Sequence, residues 1–441
     1  MIEKYLVKKI TEPVDWKVTV PGSKSMTNRA LLMAVLSAGT VRVEGVLFSD
    51  DSRHFLACLV ALGFTVEIEE EKKCVTVTGC GGRIPRGEAV IDVGSAGTAA
   101  RFLAAMLGFS DGCYEIRCSA QMKRRPMAEL FDLLSGAGAK ITFLEEEGHL
   151  PVRITGCRYA RADKTAGETP RELSLDITKS TQFLSALLLI APMVPEGMKI
   201  HITSEKTDGS YIRITRKMMQ EFGVSVAFDG RDYEVPCRSS YRKETYTVEP
   251  DMSAACYFYA AAAVTGGRAL VRHVHMDNTQ GDLRFLEVLE HMGCTADDTP
   301  EGVLVTGPAD GALRGITVNM NDFSDQALTL AAIAPFADAP VRIEGIGHIR
   351  GQECDRIHAI QTNLTALGIR CEEEETAATI YPGSPHGGSV ETYDDHRVAM
   401  AFSLVGLRTD GIVIENPACC RKTFENYFTV LSELTGKTVE G

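Results

Sequence analysis

Basic residues recur in this chain at the starts of helical stretches or within them: Lys24 in PGSKSMTNRALL, Arg124 and Arg125 in MKRRPM, Arg356 in QECDRI, Arg397 in DDHR and Lys422 in CRKTF. A cation at a helix N-terminus opposes the helix dipole. A bound anion offsets that cost, because the unpaired backbone N–H groups and the side-chain charge attract the same negative group. The plainer alternative is a solvated helix start whose ion pairs contribute roughly 0.2–0.5 kcal/mol each. Two carboxylates, Asp325 in FSDQALT and Glu353 in GQECDR, sit among these cations. Beside a bound anion such groups can carry protons, although Asp325 alone could simply favour its own helix start. His396 in DDHR is a third candidate, while a single histidine is more often structural.

Three segments have the form of anion cradles. In KVTVPGSKSMTNRALL a strand meets Pro21 and Gly22, and Ser23, Lys24 and Ser25 then open a helix that carries Asn28 and Arg29. GSAGTAARF repeats the device with Gly94, Gly97 and Thr98 before Arg101, and KSTQF repeats it with Ser180, Thr181 and Gln182. Taken singly, each is as well explained by helix capping, and the G-x-x-x-x-G-K-[ST] spacing of a nucleotide-binding loop is absent. Their recurrence in equivalent places favours a shared anion.

Those places are equivalent because the chain repeats itself, about six times at a period of roughly 70–85 residues. Each unit opens with a polar cap and a nearly all-apolar helix, as in SKSMTNRALLMAVLSAG, GSAGTAARFLAAML, KSTQFLSALLLIAP, DMSAACYFYAAAAVTGG, FSDQALTLAAIAPFAD and DDHRVAMAFSLVGL. A short β-rich run follows, then an amphipathic helix such as DDSRHFLACLVALG or QGDLRFLEVLEHMG. Four of the six continue past a glycine into a further β-like run, GFTVEI, GAKITF, GVSVAF and GIRCEE. A helix apolar all round must be buried, and one with a polar stripe covers the outside. The expected architecture is therefore α/β, with two domains of three units each. The boundary falls near Tyr246–Asp251, and the segment before Pro21, which has no unit of its own, completes the second domain. The expected bounds are 1–22 plus 248–441 for one domain and 23–247 for the other, with the ligand in the cleft between them.

Composition narrows the function classes. With 44% hydrophobic and 24% charged residues the chain reads as globular, and its net charge of −13 argues against a nucleic-acid binder. The longest apolar stretch, Phe183 to Val194, is broken by Ser185 and Pro192 and falls short of the roughly 20 residues a bilayer requires. MIEKYLVKKI has no signal-peptide core, so a cytoplasmic protein without a membrane partner is expected. The thirteen cysteines include no C-x-x-C pair, which leaves neither a disulfide framework nor a zinc site to expect.

The motifs PGSKSMTNRALLMA, GSAGTAARFL, MKRRPM, STQFLSALL, VEPDMSAACYF, QGDLRF, SDQALTLA, ECDRI, YDDHRVAMAFSL and RKTFENYF, in that order over nearly the whole chain, resemble the 5-enolpyruvylshikimate-3-phosphate synthase family. The resemblance implies the two-domain enolpyruvyl transferase fold, six βαβαββ repeats with helices packed inside each domain. It also implies transfer of the enolpyruvyl group of phosphoenolpyruvate to the 5-hydroxyl of shikimate 3-phosphate, by a monomer that needs no metal or organic cofactor. The family's phosphoenolpyruvate-binding set is present as Lys24, Gly97, Arg125, Gln182, Arg356, Arg397 and Lys422. Asp325 matches the base near the attacked hydroxyl and Glu353 the carboxylate that shuttles the C3 proton, with Lys24 and His396 completing the catalytic candidates. Ser25 and Arg29 match contacts to the shikimate ring and its carboxylate, and Tyr211 another contact to the acceptor. Asp50 and Asp51 would hold cationic side chains in place.

The acceptor's phosphate pocket departs from the family pattern. Two serines, a third serine three residues before the tyrosine, and a lysine just before the glutamate correspond here to Ser180, Thr181, Asp208 and Gln352. His348 and Ser95 also stand where Asn is common. A carboxylate about 4 Å from a phosphate charge costs about 1 kcal/mol in water and about 4 kcal/mol at an effective dielectric of 20. Either Lys179, Lys206 or Arg350 supplies the missing charge and Asp208 points away, or the acceptor lacks the 3-phosphate or carries it elsewhere. A non-catalytic binding protein and an RNA-terminal-cyclase relative are further alternatives, which Asp325, Glu353 and the acidic charge disfavour. The UDP-sugar enolpyruvyl transferases are disfavoured by the GSKS and DDHR forms, and Cys118 in RCSAQMKRRP, in a β-like run, is not expected to act as their loop cysteine does.

Overall fold

The computed structural model describes residues 3–157, 170–178, 180–308 and 312–436. Its internal contacts gather into two compact units, Met1–Pro21 with Pro250–Gly441, and Gly22–Glu249. Each unit has its own apolar core.

Within Gly22–Glu249 one sheet pattern appears three times. A leading strand pairs parallel to a central strand, which pairs antiparallel to the near arm of a hairpin. Thr245–Thr247, Thr40–Glu44, Cys74–Thr78 and Thr65–Glu69 form one such sheet. Glu88–Asp92, Cys113–Arg117, Val152–Thr155 and Lys140–Phe143 form the second. Arg171–Leu175, Met198–Ile202, Asp232–Val235 and Ala227–Phe228 form the third. The apolar helices Lys24–Leu36, Gly97–Gly108 and Thr181–Ile190 precede the central strands; in Gly97–Gly108 every residue is buried. The amphipathic helices Asp50–Ala61, Ala128–Gly136 and Ser210–Glu221 follow the central strands and bury one face only, as their polar stripes require.

The other unit repeats the pattern with Asp15–Val18, Arg268–Arg272, Gly302–Thr306 and Thr295–Thr299, and with Thr317–Asn319, Val341–Glu344, Ala378–Ile380 and Cys371–Glu373. Its inner helices are Met252–Thr265, Ala327–Ile333 and His396–Arg408, and its outer ones Phe285–His291, Arg356–Ala366 and Tyr427–Leu434. The last sheet has three strands, Gly388–Val390, Ile412–Glu415 and Lys4–Leu6, so the N-terminal strand stands where the other sheets have a hairpin.

Two leading strands are exchanged. Asp15–Val18 runs in sequence toward helix Lys24–Leu36 yet pairs with Arg268–Arg272, and Thr245–Thr247 runs toward Met252–Thr265 yet pairs with Thr40–Glu44. One crossing depends on a glycine: a Cβ on Gly22 would lie 1.9 Å from the carbonyl oxygen of Gly45. Among the β-like runs that follow a glycine, the sequence reading did not include Thr295–Thr299. Thr295–Thr299 pairs along its whole length with Gly302–Thr306 although it contains Asp297 and Asp298, residue types that strands disfavour. Its charged side chains face outward at a sheet edge, where they cost little and discourage edge pairing.

Candidate active site

The candidate residues of unit Gly22–Glu249 gather at the N-terminal ends of its inner helices. Lys24 is the first residue of helix Lys24–Leu36, and its Nζ lies 3.6 Å from Asp51 Oδ2. Asp51 is in the first turn of Asp50–Ala61, where its charge suits the dipole. It therefore holds the lysine, as expected of it.

Arg29 lies one turn further in at 2% exposure. Its Nε donates to Thr215 Oγ1 at 2.8 Å, Nη1 to the carbonyl of Ser25 at 2.9 Å, and Nη2 to Ser185 Oγ and the Tyr211 carbonyl at 3.4 and 3.3 Å. The rings of Phe102 and Tyr211 flank it. Burial lowers its pKa to about 10, so it stays charged at neutral pH. These bonds fasten Arg29 to the backbone of Ser25 and Tyr211.

Gly97 begins the second inner helix, and a Cβ there would lie 2.4 Å from Arg125 Nη1 and 2.7 Å from Arg101 Nη1. Two guanidinium groups therefore come close to the glycine. Such like charges repel unless an anion joins them. Arg101 also donates to Gln182 Oε1 at 2.9 Å, which ties this helix start to the next. There Ser180 caps Thr181–Ile190 by accepting from the Gln182 N–H at 3.2 Å.

Asp208 is held by two donors. Its Oδ2 accepts from Arg213 Nη1 at 2.9 Å and its Oδ1 from the Tyr233 hydroxyl at 3.2 Å. Lys206 passes close by: its Nζ is 3.9 Å from where a Cβ on Gly209 would stand, and Thr181 Cγ2 is 3.5 Å from the same point. Arg350 is unsuited to supply the missing charge. Its Nη1 donates to Asp355 at 2.7 and 3.0 Å and to Glu373 at 2.8 Å, and it also bonds the Glu374 and Glu375 carbonyls. Lys179 lies outside the described residues.

In the other unit the candidates converge on Arg356, the first residue of helix Arg356–Ala366, at 1% exposure. Its Nη1 donates to Asp325 at 2.9 Å, its Nη2 to Glu353 at 2.9 Å, and its Nε to Asp395 at 2.8 Å. Burial alone would depress the guanidinium, but Asp395, Glu353 and Asp325 hold it above its ordinary value. Arg397 donates to the second oxygen of Asp325 at 2.9 Å, and Lys422 Nζ lies 3.2 Å from the second oxygen of Glu353. Both proposed proton carriers thus bridge two cations. Lys422 lies at the end of a 3-10 turn, Pro417–Lys422, rather than at an α-helix start, and Arg125 lies between two helices.

His396 is at 1% exposure, with Nδ1 3.7 Å from Asp395 Oδ1. His348 and Gln352 belong to the turn before Glu353. His348 Nε2 shares a 2.8 Å hydrogen bond with Ser324 Oγ, and Gln352 ends the turn Gly347–Gly351, partly exposed. Cys118 follows strand Cys113–Arg117, and burial pushes its thiol up to about 11, which leaves it protonated and unreactive at neutral pH.

Two residues, Asp395 and Asp282, went unread in the sequence, and Arg101 was named there only as the residue after a glycine-rich helix start. Asp395 caps helix His396–Arg408, accepts from the Arg397 N–H at 2.9 Å and anchors Arg356. Arg101 shares Gly97 with Arg125. Asp282, fully buried, accepts from Ser253 and Gln326 behind Arg397. Asp395 had a visible signal as an acidic cap ahead of an apolar helix, but its partner stands 39 residues earlier in the chain.

Comparison with known proteins gives one consistent result. A family model described as EPSP synthase (3-phosphoshikimate 1-carboxyvinyltransferase) matches residues 8–431. The chain is 41% identical over 429 residues to the 3-phosphoshikimate 1-carboxyvinyltransferase of Trichormus variabilis, covering 97% of this chain and 98% of that one. It is 38% identical over 429 residues to 3-phosphoshikimate 1-carboxyvinyltransferase 2 of Halalkalibacterium halodurans, covering 96% and 93%. An EPSP synthase structure from Acinetobacter baumannii superposes with a TM-score of 0.79 at 25% identity, covering 99% and 98%. The enolpyruvyl transferase NikO of Streptomyces tendae shares the fold, with a TM-score of 0.72 at 18% identity over 98% and 97%.

Proposed function

The chain belongs to the EPSP synthase family, and from that premise we propose that it transfers the enolpyruvyl group of phosphoenolpyruvate to the 5-hydroxyl of shikimate 3-phosphate. The observation that carries this reading is the arrangement around Arg356: two carboxylates, Asp325 and Glu353, each set between that buried guanidinium and a second cation. A donor of about three negative charges needs such cations, which stabilise the charge that develops as the intermediate forms and decays. The carboxylates beside them are placed to move protons.

In the proposed mechanism Lys24, Gly97, Arg125, Gln182, Arg356, Arg397 and Lys422 bind phosphoenolpyruvate. Asp325 accepts the proton of the 5-hydroxyl as its oxygen bonds to C2, and Glu353 delivers a proton to C3. The tetrahedral adduct then loses phosphate from C2, and Glu353 takes a proton back from C3 to restore the double bond. Lys24 and His396 support this proton traffic. Ser25, Arg29 and Tyr211 hold the ring and carboxylate of the acceptor. Ser180, Thr181, Gln182, His348 and Gln352 are assigned to its remaining polar groups, with Lys206 as a cation for the phosphate.

The state of Asp208 favours a phosphorylated acceptor over the alternative. Its charge is occupied by Arg213 and Tyr233, so the repulsion that motivated the alternative is largely cancelled. A monomer in the cytoplasm fits this reading; no helix among the described residues is long and apolar enough to cross a membrane. The test is release of inorganic phosphate from phosphoenolpyruvate. It is expected only when shikimate 3-phosphate is present. Equal release with shikimate would refute the phosphorylated acceptor, and no release with either would refute the enzyme.

A further inference from the structure

Behind the Arg356 cluster lies a carboxylate that the mechanism does not use. Asp282 sits in the 3-10 turn Gly281–Arg284 at 7% exposure for the whole residue, with its carboxyl group enclosed. Its Oδ2 accepts from Ser253 Oγ and from Gln326 Nε2, the latter at 3.0 Å. Each of these bonds leads to the site. Ser253 gives its proton to Asp282, so its lone pairs face Arg397, whose Nη2 lies 3.4 Å away and also donates to Asp325 at 2.9 Å. Gln326 follows Asp325 directly in the turn Ser324–Gln326, and its carbonyl oxygen is fixed by Thr329 Oγ1 at 2.9 Å. Asp282 therefore reaches Asp325 by two routes, one through the cation that pairs with it and one through the backbone turn that carries it.

We propose that Asp282 is a positioning residue for the transfer reaction: it fixes Arg397 and the Asp325 turn, and its negative charge raises the affinity of Asp325 for the acceptor's hydroxyl proton. The inference rests on Asp325 being the base of the reaction proposed above. A buried carboxylate is costly unless it is hydrogen-bonded, and an apolar residue or a neutral amide would fill this place at lower cost to stability. The groups that face Asp282 are Asp325 from its turn, Arg397 from helix His396–Arg408, and Asp251, Ser253 and Cys256 at the start of helix Met252–Thr265. Burial first, and Asp325 second, push the Asp282 carboxyl up to about 6, against Arg397 and the two hydrogen bonds. At neutral pH it is ionised. When it gains a proton near pH 6, the charge that strengthens the base disappears, and turnover should fall with it.

The test is the pH profile of kcat in the full chain, with phosphoenolpyruvate and shikimate 3-phosphate as substrates. Asp282→Asn keeps the shape and removes the charge. At pH 7.5 it is expected to lower kcat roughly tenfold, the effect of a one-unit change in a base's pKa, with both KM values within about threefold, and to abolish the fall in kcat near pH 6. Ser253→Ala cuts the route to Arg397 but keeps the carboxylate, so it should lower kcat while the fall near pH 6 remains. An Asp282→Asn enzyme with wild-type kcat and an unchanged acid limb would overturn the proposal, as would a rise in KM alone. If that variant does not fold, Ser253→Ala decides by the same split of kcat from KM. A wild-type chain that releases no phosphate at any pH would instead refute the underlying function.

Discussion

Arg356 shows how much of this site is an electrostatic balance within one side chain's reach. A guanidinium at 1% exposure that meets Asp325, Glu353 and Asp395 carries no excess positive charge of its own. Removing it leaves three carboxylates facing one another in a buried place, and losing one partner of a buried ion pair costs about 3–5 kcal/mol. Arg356→Met is therefore expected to lose stability on that scale, read as a lower denaturant midpoint with an unchanged slope, in addition to losing turnover. A midpoint within about 0.5 kcal/mol of the wild type, the ordinary range for a surface substitution, would show that the cluster is solvated. At this scale the sequence was partly legible. Arg356, Asp325 and Glu353 stood out as opposite charges near helix starts, whereas Asp395 and Asp282 did not. Their partners lie on other elements, 39 and 44 residues away, and spacing along one helix says nothing about such pairs. Arg350 erred the other way: its sequence neighbourhood suggested a spare cation, and Asp355 and Glu373 occupy it.

The elements matter mainly through where their first turns come to rest. Gly97 is buried at the head of helix Gly97–Gly108, and the atoms a Cβ would strike, 2.4 and 2.7 Å away, are the ends of two arginine side chains rather than backbone. Such side chains can yield. Gly97→Ala should consequently fold with wild-type stability while shifting Arg101 and Arg125, the latter out of the proposed donor site. The expected result is a KM for phosphoenolpyruvate raised about tenfold, equivalent to about 1.4 kcal/mol, with little change in KM for the acceptor. A variant with unaltered donor KM would remove Gly97 from the donor site. The same helices explain why the fold could be read early. A segment such as GTAARFLAAMLG has no polar face and can only be interior, so the six apolar stretches marked the six inner helices. The strand Thr295–Thr299 escaped because its pairing with Gly302–Thr306 overrides the propensity of its own residues.

At the scale of the whole chain, the exchange of leading strands makes the two units unequal as folding problems. Gly22–Glu249 contains every strand of its three sheets. The residues from Pro250 onward do not: their first sheet takes Asp15–Val18 as its edge and their last takes Lys4–Leu6. With those strands go the buried side chains of Tyr5, Val7, Val14, Trp16, Val18 and Val20. At about 1.5–3 kcal/mol for each buried apolar side chain, their loss approaches or exceeds the roughly 5–15 kcal/mol by which a domain is stable. It also leaves Arg268–Arg272 as an unprotected sheet edge. Residues 22–249 expressed alone should therefore fold cooperatively, whereas residues 250–441 alone should be unfolded or aggregated until residues 1–21 are supplied as a separate peptide. The chain's one tryptophan makes this measurable: Trp16 is 7% exposed and packs edge-on against Phe258, with ring centroids 6.4 Å apart. Its emission in the peptide should shift to the blue on mixing with residues 250–441 and stay unchanged with residues 22–249. Cooperative unfolding of 250–441 without the peptide, or a blue shift with the other fragment, would mean that the strand exchange does not govern folding.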